Sequence, residues 1–270
     1  MEILWRLHSA VKFQLLPCCS NYILHDHTMP PPRAHTIETT LDLGDRTAPL
    51  TARVNRRARR LIVKVDSIQG RVYVTAPSKR ALPEALEFAQ SRVVWIRDQL
   101  RDGAPARPFR HGITFPFRDA ELTVCNSGSP RDGVKLHGRN LIVGGLCDHV
   151  NRRVVDWLKR EARRSLTERV DFYAGQLGRR RGPITIRDTR SRWGSCAQDG
   201  AMSFSWRLVL APSWVHDYVA AHECAHLVHL NHSPAFWRLL KSLDVDALGA
   251  RDWFASHGLP LYSYGVEPLL

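Results

Sequence analysis

Residues 220–237 read AAHECAHLVHLNHSPAFW, and the interpretation of the whole chain starts from them. Residues four apart share one face of a helix, so His222 and His226 can direct their imidazoles at one metal ion. Glu223 lies beside the first histidine, where it can reach a metal-bound water as a general base. The spacing predicts a helix that carries two metal ligands and a catalytic carboxylate.

A third ligand is expected after this helix, because a catalytic zinc ion takes three protein ligands and leaves one position for water. His229 lies about 10 Å along the helix axis from His222. Nitrogens around one zinc are only about 3–3.5 Å apart, so we assign His229 to packing or to a contact that supports a ligand. Asn231 can adopt the left-handed conformation that ends a helix, and residues 233–234 resemble an N-cap and first turn. We predict one Zn²⁺ per chain, held by His222, His226 and His232.

The segments before this stretch predict its scaffold. A long amphipathic helix is expected over residues 150–177. Residues 184–190 read as a strand, and residues 202–210 alternate like a second strand after a hairpin at Asp199-Gly200. We expect the part of the second strand from Ser203 to Leu210 to pair with an extended peptide. Ser213 is the expected N-cap of an active helix that runs to about Leu230.

The first half of the chain is predicted to be rich in strands. Residues 61–65 and 72–76 are β-branched runs joined by a turn at Gly70, which indicates a hairpin. A helix with Pro83 near its first turn is expected to follow, with Trp95 and Ile96 near its end. Residues 103–108 read as a linker. Further short strands are predicted at Ile113–Phe117, Glu121–Cys125, Val134–Leu136 and Leu141–Val143.

The formal net charge of +13 is high for 270 residues and favours attraction to polyanions. Arginine clusters recur at residues 56–60, 163–164 and 179–181, and they form one patch only if folding brings them together. A solvated basic surface explains the charge equally well. The six cysteines show neither zinc-ribbon nor disulfide-framework spacing, so we expect a reducing, cytoplasmic location. No stretch approaches the roughly 18 apolar residues of a membrane helix.

These patterns predict an α+β protein with four regions. Residues 1–35 are expected to be a poorly ordered extension, and Met29 is a candidate start of translation. Residues 36–146 are expected to form a β-rich subdomain with one helix. Residues 147–258 are expected to form a zincin-like metallopeptidase domain, and residues 259–270 a C-terminal tail.

Three strings resemble one known family: RSRWGSC (190–196), SFSWRLVLAP (203–212) and HECAHLVHLNHSPAFW (222–237). Together they resemble the YgjP-like metal-dependent hydrolases, relatives of the SprT-like and WLM zincin metallopeptidases. Weaker similarity extends to RRARRLIVKV (56–65), RVYVTAP (71–77) and VVWI (93–96). The resemblance implies a minimal zincin core, in which an active helix packs beside a small antiparallel sheet. It also implies the three histidines as zinc ligands and Glu223 as the base.

The first of these strings contains two candidate substrate-binding residues, Arg192 and Ser195. The guanidinium of Arg192 is always protonated and can stabilise developing negative charge. For Trp193 and Gly194 we favour a packing role in a tight turn. Tyr218 and His257 are further possible donors that nothing in the sequence selects.

The expected function is that of a cytoplasmic zinc-dependent hydrolase, foremost a metallopeptidase acting on a peptide or protein. One alternative keeps the metal but hydrolyses a phosphoanhydride such as a nucleotide, which a basic surface suits. Another is a nucleic-acid-associated protease of the SprT-like type. No helix-turn-helix, zinc-finger or RNA-binding motif accompanies the charge, which argues against sequence-specific recognition.

Overall fold

The structure is a computed structural model that describes residues 36–101, 105–189 and 192–268 of the 270-residue chain. Their contacts form two compact units, divided between Pro105 and Ala106. The extension predicted for residues 1–35 lies outside the described residues. The boundaries predicted at residues 146 and 258 concern domain organisation and stay predictions.

Four strands form one sheet in the first unit, in the order β1-β2-β4-β3. They are β1 (Thr36–Asp42), β2 (Thr47–Val54), β3 (Ile62–Asp66) and β4 (Arg71–Ala76). The central strands β2 and β4 are parallel, and each pairs with an antiparallel outer strand. The predicted β3–β4 hairpin is confirmed, and Gly70 supplies the positive φ of 64° at its turn.

Two helices cover this sheet, α1 (Leu82–Gln90) and α2 (Val93–Arg101), so the single helix predicted here is wrong. The N–H of Arg92 bonds to the carbonyl of Ala89, three residues back, which interrupts the α-helical pattern. Ile96 is fully buried in the core that the two helices form with the sheet.

The second unit opens with a sheet of the same connectivity, in the order β5-β6-β8-β7. Its strands are β5 (Thr114–Phe117), β6 (Ala120–Asn126), β7 (Val134–His137) and β8 (Asn140–Val143). All four predicted strands are therefore confirmed. The predicted long helix is also confirmed as α3 (Val150–Gln176), which is followed by Gly178 with φ of 59°.

A three-stranded sheet follows, in the order β10-β11-β9. It consists of β9 (Ile184–Arg187), β10 (Gly194–Cys196) and β11 (Met202–Ser205). β10 and β11 are antiparallel across the predicted hairpin at Asp199-Gly200, although Gly194 is predicted in a tight turn rather than in a strand, and β11 and β9 are parallel. The sheet beside the active helix is therefore mixed, which corrects the antiparallel sheet that the resemblance implies.

The strand predicted over residues 202–210 is wrong beyond Ser205, where Trp206–Leu210 form a buried 3-10 helix. Alternation fails because Arg207, expected on the polar face, is 1 % exposed. Its guanidinium donates to the carbonyls of Leu261 (3.2 Å) and Tyr264 (3.1 Å) and bonds Asp188. These contacts tie the stretch from residue 259, predicted as a tail, to the core.

Three helices complete the second unit: α4 (Ser213–Ala225), α5 (Pro234–Ser242) and α6 (Ala247–Leu261). Helix α4 packs between α3 and the edge strand β10. In the part of the chain that the structure describes, no helix combines the length and apolar character needed to span a membrane.

Candidate metal centre

The predicted metal ligands lie where α4 ends and the chain turns back. The helix ends at Ala225, earlier than the predicted Leu230, because the N–H groups of Leu227 (2.9 Å) and Val228 (3.1 Å) bond to the carbonyls three residues back rather than four. His226 takes the C-cap position with φ of −69° and ψ of −16°. It therefore keeps helical geometry and stays on the same face as His222.

The start of α4 also differs from the prediction, because Pro212 rather than Ser213 is the N-cap. The N–H of Ser213 donates instead to a carboxylate oxygen of Asp119 at 2.9 Å. Asp119 belongs to the turn between β5 and β6, so this contact anchors the active helix to the preceding sheet.

The turn after α4 carries His232. Ser233 is the N-cap of α5, as predicted, and its hydroxyl accepts from the backbone N–H of Phe236 at 3.5 Å. The indole N–H of Trp237 donates to the His232 carbonyl at 3.1 Å. Asn231 is not among the described non-glycine residues that have a positive φ, so its predicted left-handed conformation is wrong. The turn is stabilised by the start of α5.

The structure brings the three predicted ligands together. One ring nitrogen each from His222, His226 and His232 lies within 4.8 Å of the other two. The Nε2 atoms of His222 and His232 are 3.0 Å apart, which suits ligands of one zinc ion, about 3–3.5 Å apart. Among the described residues, the ring of His229 is not part of this group.

Backbone and side-chain partners fix the orientation of two of the rings. Nδ1 of His226 lies 3.0 Å from the carbonyl oxygen of His229. A carbonyl only accepts, so Nδ1 carries the proton and Nε2 keeps its lone pair. Nδ1 of His222 lies 3.2 Å from the hydroxyl of the buried Tyr218. The sequence spacing does not indicate either contact.

The centre favours neutral imidazoles. Burial lowers the pKa of His222 well below its usual value, lowers that of His226 to about 4 and also lowers that of His232. Neutral imidazole is the form that binds a metal.

The unpartnered nitrogens fit a cation. Nε2 of His226 is buried without a hydrogen-bond partner among the described residues. A divalent ion that prefers imidazole would satisfy this nitrogen and the two facing nitrogens of His222 and His232. The residues present therefore fit a metal ion.

The carboxyl group of Glu223, the residue that follows His222 in α4, is fully buried. Neither of its oxygens has a hydrogen-bond partner among the described residues. Burial raises its pKa to about 8, and the positive charge of Arg192 acts in the opposite direction. An unpartnered buried carboxyl is costly, and such groups concentrate at functional sites.

Gly194 on β10 makes room for this carboxyl. A Cβ atom at position 194 would lie 2.9 Å from both Cγ and Cδ of Glu223. Gly194 pairs with Phe204 in the sheet, so the strand brings its backbone against the acid. The sequence predicts only a packing role for Gly194. The structure adds that any side chain at this position displaces Glu223.

The other residues of the RSRWGSC string have different surroundings. Arg192 is half-buried, and its carbonyl accepts from the Thr189 hydroxyl at 2.9 Å. Ser195 is half-buried on β10 opposite Ser203. Trp193 is buried and stacks on Phe254 with ring centroids 4.7 Å apart, which supports its predicted packing role.

The comparison with protein families is consistent with this geometry. The YgjP-like family, described as "YgjP-like, metallopeptidase domain", matches residues 59–257. The chain belongs to the YgjP-like family. No curated protein and no solved structure matched the chain.

The YgjP-like match extends from the loop between β2 and β3 into α6 and so includes parts of both compact units. It contains the three clustered histidines, Glu223 and Gly194. Membership in a metallopeptidase-domain family supports a metal-dependent hydrolase and indicates a peptide or protein substrate.

Proposed function

We propose that this YgjP-like protein is a zinc-dependent peptidase in which His222, His226 and His232 hold the ion. The observation that carries this proposal is the group of three buried or partly buried imidazoles within 4.8 Å, beside an unpartnered carboxyl. Three protein ligands leave one position of a tetrahedral zinc ion for water. A bound zinc ion supplies a Lewis acid that polarises the scissile carbonyl and activates water.

Glu223 is the proposed general base. Its carboxylate oxygen accepts a proton from the attacking water and then delivers it to the leaving nitrogen. Burial favours the acid form of Glu223, whereas a nearby divalent cation favours the carboxylate. Contact with Gly194 holds the carboxyl in one place.

An extended peptide is best accommodated at the edge strand β10. The expectation that β11 pairs with substrate is wrong, because β11 already has a neighbour on each side. The Trp193 carbonyl accepts from Ser205 (2.9 Å), and the Ala197 N–H donates to Ala201 (2.8 Å). Backbone groups alternate in direction along a strand. Those of Gly194 and Cys196 therefore point away from β11, towards the outer edge of the sheet, and Glu223 lies over the face of β10 to which a Cβ at Gly194 would point.

Arg192 and Ser195 remain the proposed substrate-binding residues. Both belong to the segment that forms this edge, and Arg192 already acts electrostatically on Glu223. A guanidinium here can stabilise the negative charge that develops on the carbonyl oxygen during attack.

The test combines metal analysis with activity. Purified wild-type protein is expected to contain one zinc ion per chain and to cleave casein-derived peptides. Glu223→Gln should keep the ion and lose activity by about 10²-fold or more, because general-base catalysis contributes about 10²–10⁴-fold. His226→Ala should lose both the ion and the activity.

Two outcomes would contradict the proposal. A wild-type protein without stoichiometric metal would contradict the zinc centre, and full activity of Glu223→Gln would contradict the role of Glu223 as general base. A parallel assay with nucleoside triphosphates distinguishes a peptidase from a phosphoanhydride hydrolase. If the protein hydrolyses triphosphates but no peptide, and His226→Ala loses this activity, the metal centre is supported and the substrate is a phosphoanhydride.

A further inference from the structure

Six exposed basic side chains lie at one edge of the sheet in the first unit. They occupy the β2–β3 loop (Arg56, Arg57, Arg59, Arg60) and the β4–α1 loop (Lys79, Arg80). We call these six residues the basic edge. Neither residues 55–61 nor residues 77–82 contain an acidic side chain. The two loops therefore contribute basic side chains and no acidic ones.

The parallel pairing of β2 and β4 brings the two loops together. Val54 pairs with Ala76, so both strands end at the same edge of the sheet. The N–H of Asn55 donates to the Ala76 carbonyl at 2.8 Å, which joins the starts of the two loops. They share an open groove of about 450 Å³. Its lining residues are Val54, Arg56, Pro77, Ser78, Lys79 and Arg80. Folding thus makes one surface from two separate clusters of the sequence.

Local hydrogen bonds shape both loops. The Asn55 side chain accepts from the N–H of Arg57 at 3.0 Å, and its carbonyl accepts from Ala58 at 2.9 Å. In the second loop the Ser78 hydroxyl accepts from the N–H of Ala81 at 3.3 Å. Such Asx and Ser turns restrict the backbone, so the basic side chains project from defined positions.

Charge is distributed unevenly between the two edges of this sheet. The hairpin turns at the opposite edge contain Asp42, Asp45 and Asp66, which offset Arg46 and Arg71. Helix α1 begins directly after the second loop, and its positive end adds to the potential of the basic edge. One acidic side chain, Glu84, lies in the first turn of α1. The formal charge is therefore positive at the basic edge and nearly balanced at the opposite edge.

We propose that the basic edge binds the phosphate backbone of a nucleic acid without reading its sequence. Arginine and lysine side chains neutralise phosphates, and such contacts supply most of the affinity in non-specific binding. The groove lining contains no aromatic side chain on which a base could stack. Binding of this kind depends on charge and is independent of the metal centre.

The experiment measures binding of the full chain to short duplexes of mixed sequence, one of DNA and one of RNA, by fluorescence anisotropy over a series of salt concentrations. The test variant carries Arg56→Gln, Lys79→Gln and Arg80→Gln. The matched control carries Arg160→Gln, Arg179→Gln and Arg180→Gln, which remove the same charge from exposed positions of the second unit. Thermal melting of both variants checks that the fold is kept.

The test variant is expected to bind at least about tenfold more weakly, and the slope of log affinity against log salt should fall by about 3, one for each phosphate that is no longer neutralised. The control should bind nearly as well as wild type. Both variants should keep peptidase activity on a short peptide, so failure of this proposal is distinguishable from failure of the zinc centre.

Three results would overturn the proposal. Equal losses of affinity in the two variants would show an effect of overall charge rather than of the basic edge. If the wild-type protein binds neither duplex at low salt, the protein does not bind nucleic acid. Binding to phosphatidylserine vesicles without binding to either duplex would identify an anionic membrane as the partner instead.

Discussion

At the scale of single residues, the centre depends on how closely its groups are packed. Glu223 is enclosed because Gly194 has no side chain, and His222 and His226 are oriented by Tyr218 and a backbone carbonyl. Each of these supporting contacts can be removed by a small substitution that leaves the ligands themselves unchanged.

Replacing Gly194 by alanine is expected to displace the carboxyl of Glu223. A misplacement of about 1 Å can reduce the rate about 10²-fold, so peptidase activity should fall by that order while bound zinc is retained. The control is Gly175→Ala within α3, where an added Cβ meets no atom within 4 Å. This control should be active and slightly more stable, by about 0.5–1 kcal/mol. Unchanged activity in Gly194→Ala would show that the carboxyl does not act from this position.

Tyr218→Phe removes the hydroxyl that lies 3.2 Å from Nδ1 of His222. Because such partners orient metal-binding histidines, zinc affinity should fall by about 10–100-fold in competition with a chelator. Tyr173→Phe is the matched control, since its hydroxyl contacts Arg169 rather than a ligand. Equal zinc affinities for wild type and Tyr218→Phe would contradict this role.

At the scale of elements, a partly buried polar network joins α3 to α4. Arg169 donates to both carboxylate oxygens of Asp217, at 2.6 and 2.8 Å. The hydroxyl of Ser165 lies 3.1 Å from Nε2 of the buried His216. The contacts fix the active helix against the longest helix of the described chain, and so they set where the ligands lie.

The stability of this junction is expected to depend on pH. Burial lowers the pKa of His216 below its usual 6.5, with Arg118 and Arg169 lowering it further and Asp217 raising it. The unfolded chain therefore takes up a proton that the folded protein resists. The contribution of neutral His216 to the free energy of unfolding is full above pH 6.5. It is lost as the pH falls below 6.5, by at most about 1.4 kcal/mol per pH unit.

Urea unfolding of zinc-loaded protein at several pH values checks this prediction, with His216→Gln as the comparison. The difference in the free energy of unfolding between the two proteins should shrink as the pH falls. A difference that is constant between pH 7 and pH 5 would mean that His216 titrates equally in the folded and unfolded states, and a difference that grows as the pH falls would mean that His216 is protonated in the folded protein.

The elements that the sequence predicts well are those with local signals. The α3 helix follows from its apolar period, and the hairpin at Gly70 follows from β-branched runs around a turn residue. Long-range pairing has no such signal, so neither the parallel contact of β2 with β4 nor that of β9 with β11 could be predicted. The strand predicted to continue past Ser205 is wrong for the same reason, because Arg207 is buried by carbonyls more than fifty residues away.

The candidate site also contains features that have a local sequence signal and features that have none. The spacing of the motif predicts the three histidines that the structure clusters, although their role as ligands stays a proposal. Gly194 could not be recognised as part of the site, because its contact with Glu223 exists only after β10 packs against α4. The carbonyl of His229 also escaped prediction, since backbone groups carry no residue-specific signal.

At the scale of the whole molecule, two units share one sheet connectivity but carry different chemistry. The histidine cluster lies wholly in the unit after residue 105, and the basic edge lies wholly in the unit before it. Zinc should therefore stabilise the second unit selectively. The ion would join the end of α4 to the turn before α5, adding to the ring contacts that Phe236 makes with His222 and His226.

Removing zinc with a chelator is expected to lower the melting temperature of wild-type protein, and restoring zinc should reverse the loss. An ion present at 100 times its dissociation constant stabilises the folded state by about 2.7 kcal/mol. His226→Ala should show no zinc-dependent shift, because it lacks the nitrogen that is buried without a partner. The melting temperature of the triple variant of the basic edge should rise with zinc as much as that of the wild-type protein. An unaltered shift in His226→Ala would place the stabilising ion elsewhere in the chain.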